Sequence, residues 1–203
     1  MKIDMFRGMK VRLPRKAGMV LVAALAVLAL ASQAEAKKNR AMYTVDGELL
    51  MPQNYRQWVF VGSPVTPNDM NSGKAAFPEF HHVYINPAGF AAYRKTGKFP
   101  DGTVLVKELV AVGGKSAASG SGYFPGEFNG VAAAVKDGKR FAKEPGHWAY
   151  FSFMGEGGTP LASAQPQPAA ACNACHQQNA AEDWVFSQFY PVLRAAKKAR
   201  PSK

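Results

Sequence analysis

Apolar and polar positions alternate through the middle of the chain, and helical patterning dominates only towards its end. Residues 103–112 are the clearest strand, β-branched and apolar with one charged pair, Lys107–Glu108, at the centre. Alternation puts Thr103, Leu105, Lys107, Leu109 and Ala111 on one face. Val104, Val106, Glu108, Val110 and Val112 take the other. Residues 81–85, 131–136 and 148–154 read as three more strands. Residues 52–58 predict a short helix with Pro52 in its first turn. Asn86–Pro87 reads as a cap and a first-turn proline, so a helix should run over 87–96 and stop at Gly97. One helical turn is expected at 139–143. Helical propensity resumes near Cys172 and again over 180–198, where Pro191 sets a kink or a restart. Loops fall at 62–73, 115–122 and 155–171, all rich in turn-forming or small residues, and Asp101–Gly102 is a turn. Strands first and a helical segment last predict an α+β fold. No internal repeat is visible.

The N-terminus departs from this pattern. Lys10, Arg12, Arg15 and Lys16 precede an apolar run over 17–31, and Ala34–Glu35–Ala36 supplies small residues for cleavage. The run is shorter than the ~20 apolar residues of a spanning helix. It therefore reads as a secretory signal peptide over residues 1–36, cut after Ala36. In a bacterium, residues 37–203 would form a single periplasmic domain, free of the membrane after cleavage. Those 167 residues suffice for a real core. The leader takes six basic and two acidic side chains with it, so the formal charge falls from +11 to +7. Much of the remainder sits at the two ends, in Lys37, Lys38 and Arg40 and in Arg194, Lys197, Lys198, Arg200 and Lys203. Such solvated ends do not suggest a nucleic-acid site. A docking surface for an acidic redox partner stays open.

The only two cysteines lie in Cys172–Asn173–Ala174–Cys175–His176. This spacing offers two thiols to the vinyl groups of a haem and then an imidazole to its iron. Cys172 and Cys175 would carry the thioether bonds of one haem c per chain, and His176 would be the proximal metal ligand. A redox dithiol, half a zinc site or a plain disulfide use the same letters. Zinc lacks a second cysteine pair here, and the export segment suits c-type haem. No Met or His follows His176, so a sixth protein ligand would come from Met42, Met51, Met70, Met154, His81, His82 or His147. The simpler expectation is a five-coordinate haem with an open site, suited to binding and transforming small ligands rather than only passing electrons.

Several strings in the chain are specific. Asn54–Tyr55–Arg56–x–Trp58–Val59, Val65–Thr66–Pro67–Asn68 and Val83–Tyr84–Ile85–Asn86–Pro87 come first. Thr103–Val104–Leu105–Val106–Lys107–Glu108–Leu109–Val110, Gly122–Tyr123–Phe124 and Val135–Lys136–Asp137 follow. With the Cys172–His176 motif, and over residues 46–196, the chain resembles the cytochrome P-460 family. The resemblance implies a mostly antiparallel β-sheet with short flanking helices and a C-terminal helical haem-binding segment, in a homodimer. It implies oxidation of hydroxylamine to nitrous oxide, nitric oxide or nitrite, with a soluble cytochrome c as electron acceptor. The haem of the family carries an extra bond from a lysine to a porphyrin meso carbon. The related cytochrome c′-beta proteins lack that bond and bind nitric oxide and carbon monoxide.

The resemblance puts the cross-linking lysine at Lys107. From the residues alone, Lys107 reads equally as an edge-strand lysine that discourages aggregation. A dry site would favour the neutral amine that such a bond requires. Glu108, on the other face, reads as structural. His81 stands where the family commonly has an arginine, so it could bind substrate, accept a proton or ligate the iron, or be a packed strand histidine. Asp137 matches an acidic position near the family's haem pocket and equally suits a turn before Gly138. Ala171 stands where some relatives have a glutamate, leaving one proton acceptor fewer. Phe80, Phe124, Phe151 and Phe153 read either as haem-packing aromatics or as core.

Overall fold

The computed structural model describes residues 39–155 and 159–199. The export segment and its cleavage point after Ala36 lie outside the described residues. The strands are β1 (Leu49–Leu50), β2 (Val59–Gly62), β3 (Phe80–Ile85), β4 (Val104–Val112), β5 (Ser116–Ala117), β6 (Gly120–Ser121), β7 (Pro125–Lys136), β8 (Trp148–Ser152) and β9 (Ser163–Ala164). Three short α-helices occur among the described residues: α1 (Pro87–Thr96), α2 (Asn173–Asn179) and α3 (Pro191–Lys198). One five-stranded sheet, ordered β2-β3-β4-β7-β8, carries the fold, and every pairing in it is antiparallel. The fold is thus α+β, with a mostly antiparallel sheet and a helical C-terminal segment.

The register of β4 divides the sheet into two faces. Leu105 pairs with Ala134 and Ile85, and Ala134 pairs with Tyr150. Leu105, Val83, Ile85, Trp148 and Tyr150 share a core with Tyr93 of α1, Val185, Tyr190, and Leu193 and Ala196 of α3. Cys172, Trp184 and Phe186 pack against this side. On the opposite face Val104, Val106, Val131, Ala133, Val135, Ala149 and Phe151 meet Leu49, Tyr55, Trp58, Phe141 and Ala164. Helices thus cover one face, and the short β1–β9 pair with irregular chain covers the other.

Local details depart from the pattern reading for identifiable reasons. Residues 52–58 make only a 3-10 turn, Tyr55–Gln57, and 139–143 make turns without a helix. Residues 180–190 are not helical: Glu182 bridges Val185, a 3-10 turn covers Ser187–Phe189, and α3 restarts at Pro191. Two left-handed residues, Asp183 and Trp184, break the helix there. Helix α1 begins and ends as expected, with Gly97 at φ 73 as its left-handed cap. Asn86, however, does not cap it. Its buried amide donates to the Asn39 and Gly102 carbonyls, each at 3.0 Å, and its oxygen accepts from Val104 N at 3.0 Å. It therefore locks the start of β4 to α1. Gly89 leaves the room this needs, because a Cβ there would sit 2.5 Å from Asn86 Oδ1.

Candidate haem site

The motif folds as the helix α2, with Cys172 just before its first residue. Three residues apart on one turn, Cys172 and Cys175 share a helix face. Both are free thiols, the first half-buried and the second exposed. Asn173 is the anchor, and the sequence reading passed over it. It is 1% exposed, and its amide donates to the Trp148 carbonyl at 2.8 Å, tying α2 to β8.

His176 is held from three sides. Its Nδ1 lies 2.7 Å from the Trp184 carbonyl, and the rings of Tyr150 and Phe186 sit 4.3 and 4.7 Å away. A carbonyl only accepts, so Nδ1 must carry the proton and Nε2 is left with a lone pair. That is the tautomer a metal requires. Burial pushes the imidazole pKa down and keeps it neutral, with the Trp184 carbonyl opposing and Lys107 adding to the shift.

Lys107 faces the same side. It pairs with Val83 and Ala132 in β4, the central strand of the five. An edge-strand role is therefore excluded. Burial lowers its pKa from the usual amine value, opposed by Cys172, Glu79 and Cys175 in that order. Burial raises the Cys172 thiol pKa, and the same amine works against that rise while adding to the lowering that burial causes at His176. Lys107 thus feels the motif directly. Its Nζ lies 4.1 Å from the centre of the Phe77 ring.

His81 lies two residues from Val83 and opposite Leu109, on the Lys107 face. Burial lowers its pKa to about 4, helped by Lys107 and His82 and opposed by a hydrogen bond to the Phe77 backbone. Its Nε2 is buried and has no hydrogen-bond partner, as are one Glu79 oxygen, Oε2, and Trp184 Nε1. Buried polar atoms rarely stay unmatched unless something else meets them. Free thiols, a correctly protonated His176 and these orphaned atoms all suit a covalently held haem on this face.

The other expected residues lie elsewhere. The Asp137 carboxylate accepts from the Lys139 and Arg140 backbone N–H groups at 3.0 and 2.9 Å. Burial raises the pKa of Tyr43, which packs on the opposite core, and Asp137 adds to that rise against Arg140. The structure does not bring Asp137 to the His176 cluster. Phe151 and Phe153 are likewise on the far face, and Phe80 pairs with Val110 of that face. Of the sixth-ligand candidates, Met42, Met70 and Met154 are largely exposed, Met51 packs on the far core and His147 is exposed. His82 pairs with Glu108, away from Lys107. Only His81 shares the face of Lys107. The aromatic wall the sequence reading missed is Tyr150 with Phe186, Trp184 and Phe77. Alternation along β8 could have found Tyr150, but the left-handed turn that aims Trp184 leaves no periodic trace.

A family model, Cytochrome P460, matches residues 52–187. The chain belongs to the cytochrome P460 family. The matched span takes in β2 to β8, Lys107, His81 and the Cys172–His176 motif, and stops short of α3. It is narrower at both ends than the resemblance over 46–196. Membership makes the chain a haem c cytochrome of this family's kind. No curated protein matches the chain.

Proposed function

We propose that this cytochrome P460 is an exported hydroxylamine oxidase whose single haem c is cross-linked through Lys107. The observation that carries the reading is the half-buried, pKa-lowered amine of Lys107, on the sheet face that holds Cys172, Cys175 and His176. Cys172 and Cys175 would hold the haem by thioether bonds, and His176 Nε2 would ligate its iron. Bound there, haem c would supply a redox-active iron able to take electrons from hydroxylamine. The protein's own groups do the rest. Lys107 lies in a dry site that favours its neutral, nucleophilic form. His81 is neutral at ordinary pH and carries an unpartnered Nε2, so it can accept a proton released during oxidation. Glu79, with its own free oxygen, is a second acceptor beside Lys107 and offsets the absence of a carboxylate at Ala171. Phe77, itself exposed, presents its ring face to the amine.

Periplasmic location, a homodimer and a soluble cytochrome c as electron acceptor belong to the same proposal. They rest on the export segment and on the family resemblance. Mass spectrometry of protein matured in cells that attach haem c tests the core of it. One haem should be added to a chain starting near Lys37, and the tryptic haem peptide should also carry the Lys107 segment. The reduced Soret band should lie well to the red of an ordinary c-type haem. A haem peptide without the Lys107 segment, with ordinary c-type colour, would make the protein a gas binder of the cytochrome c′-beta kind.

A further inference from the structure

The segment that aims the Trp184 carbonyl is strained and doubly clamped. Asp183 (φ 44) and Trp184 (φ 60) are consecutive non-glycine residues in the left-handed region. Residues with a Cβ avoid that region, so such a pair persists only where its surroundings over-determine it. The first clamp is Asp183. Its carboxylate takes Lys136 Nζ at 2.5 Å and Trp148 Nε1 at 3.3 Å. The second is Glu182, which accepts from Tyr93 Oη at 2.6 Å, from Ser187 Oγ at 3.1 Å and from Lys197 Nζ. The Trp184 ring also lies over Gly146, where a Cβ would fall 2.4 Å from the ring.

All of this fixes one carbonyl oxygen. That oxygen accepts from His176 Nδ1 at 2.7 Å and also from the Tyr150 hydroxyl at 3.3 Å. Burial keeps the tyrosine protonated by pushing its pKa up, so it remains a donor. A carbonyl has two lone pairs, and a second donor drains charge from the first bond. The stronger the acceptor at Nδ1, the more basic the imidazole and the stronger its bond to iron.

We propose that Asp183 and Tyr150 are opposing positioning residues for His176. Asp183 holds the Trp184 carbonyl in line with Nδ1 and strengthens the ligand. Tyr150 shares that carbonyl and weakens it. The inference rests on His176 being the iron ligand, and the experiment separates the two. In haem-loaded protein, the iron–histidine stretch is recorded by resonance Raman in the reduced state, together with the midpoint potential. Asp183→Asn should lower the stretching frequency and raise the potential. Tyr150→Phe should do the reverse, and Asp183→Glu should restore most of the wild-type values. Lys136→Met, which removes one clamp partner, should act as Asp183→Asn with a smaller shift and serves if that variant does not fold. Haem attached, a normal wild-type stretch, and variants that shift together or not at all would overturn the inference alone. No iron–histidine stretch in the haem-loaded wild type would overturn the His176 reading itself.

Discussion

Two adjacent residues at the centre of β4 carry opposite charges to opposite faces of one sheet, and they are treated differently. Glu108 is 6% exposed, and the Arg56 side chain answers it with a salt bridge. Burial and this carboxylate together push the Tyr55 hydroxyl up to about 12, so the tyrosine stays a donor beside it. That face is electrically closed. Lys107, one residue earlier, forms no salt bridge among the described residues and has the face of Phe77 instead. A half-buried amine with no salt bridge, and only the nearby charge of Glu79 to favour its protonated form, is poor design for stability, because a charge drawn out of water without a close ion pair is costly. It is good design for an amine that must lose its proton and react. The difference marks Glu108 as a structural charge and Lys107 as a chemical one.

Removing each charge should therefore break a different property. Lys107→Ala should keep covalent haem, since Cys172 and Cys175 are untouched, and should move the reduced Soret band to ordinary c-type wavelengths. Hydroxylamine turnover should fall by at least about tenfold, ~1.4 kcal/mol of barrier, while nitric oxide still binds. Steady-state assays beside reduced spectra check both. Unchanged colour and turnover would put Lys107 back among ordinary strand residues.

His81 sharpens the same face. His81→Leu should slow turnover by about a hundredfold if the imidazole takes the reaction's proton. It should leave the Soret position where it was. The histidine also gives that face a pH signature. Its folded pKa is near 4 against an unfolded value of 6.5, so below 6.5 the unfolded chain binds a proton that the folded chain refuses. Stability should fall as pH drops from 6.5 towards 4 and then level off. Denaturant midpoints across that range should show the loss, and His81→Leu should reduce it.

On the other face the expected effect is thermodynamic. Arg56→Ala strands a buried carboxylate, a change that typically costs about 3–5 kcal/mol. Arg56 itself is 64% exposed, so solvent screening should bring the cost below that range, to about 2–3 kcal/mol. Urea unfolding would measure it. The haem spectrum and the turnover per folded molecule should not move. A spectral change would mean that the two faces are coupled through β4.

The strands and the motif were legible because their causes are local. Alternation over 103–112 separated Lys107 from Glu108 correctly, and Pro87 with Gly97 bounded α1 as expected. What was missed depends on tertiary contact. Asn86 resembles a helix cap in sequence, but its amide is taken by carbonyls of other segments. Residues 180–190 have helical composition, and the carboxylates of Glu182 and Asp183 instead hold a left-handed turn. Phe151 and Tyr150 are neighbours in sequence and lie on opposite faces, so choosing Phe151 as a haem contact required knowing which face of β8 was which. Glu79 precedes the strand and shows no periodicity; only its buried, unpartnered Oε2 and its charge acting on Lys107 mark it.

The smallest effect tests where the active face ends. By resemblance Asp137 matches an acidic position near the family's haem pocket, yet its carboxylate spends its hydrogen bonds on the Lys139 and Arg140 backbone. Asp137→Ala removes two acceptor contacts from an exposed turn, worth about 1 kcal/mol together. Asp137→Asn keeps one acceptor oxygen and should cost less. If Asp137 belongs to the structural face, both variants should show wild-type turnover, pH–rate profile and spectrum, with only a small drop in the urea midpoint for the alanine. A shifted pH–rate profile in Asp137→Asn, with the midpoint unchanged, would join Asp137 to the proton-accepting groups. The division of the sheet into a chemical and a structural face would then be too strict at the end of β7.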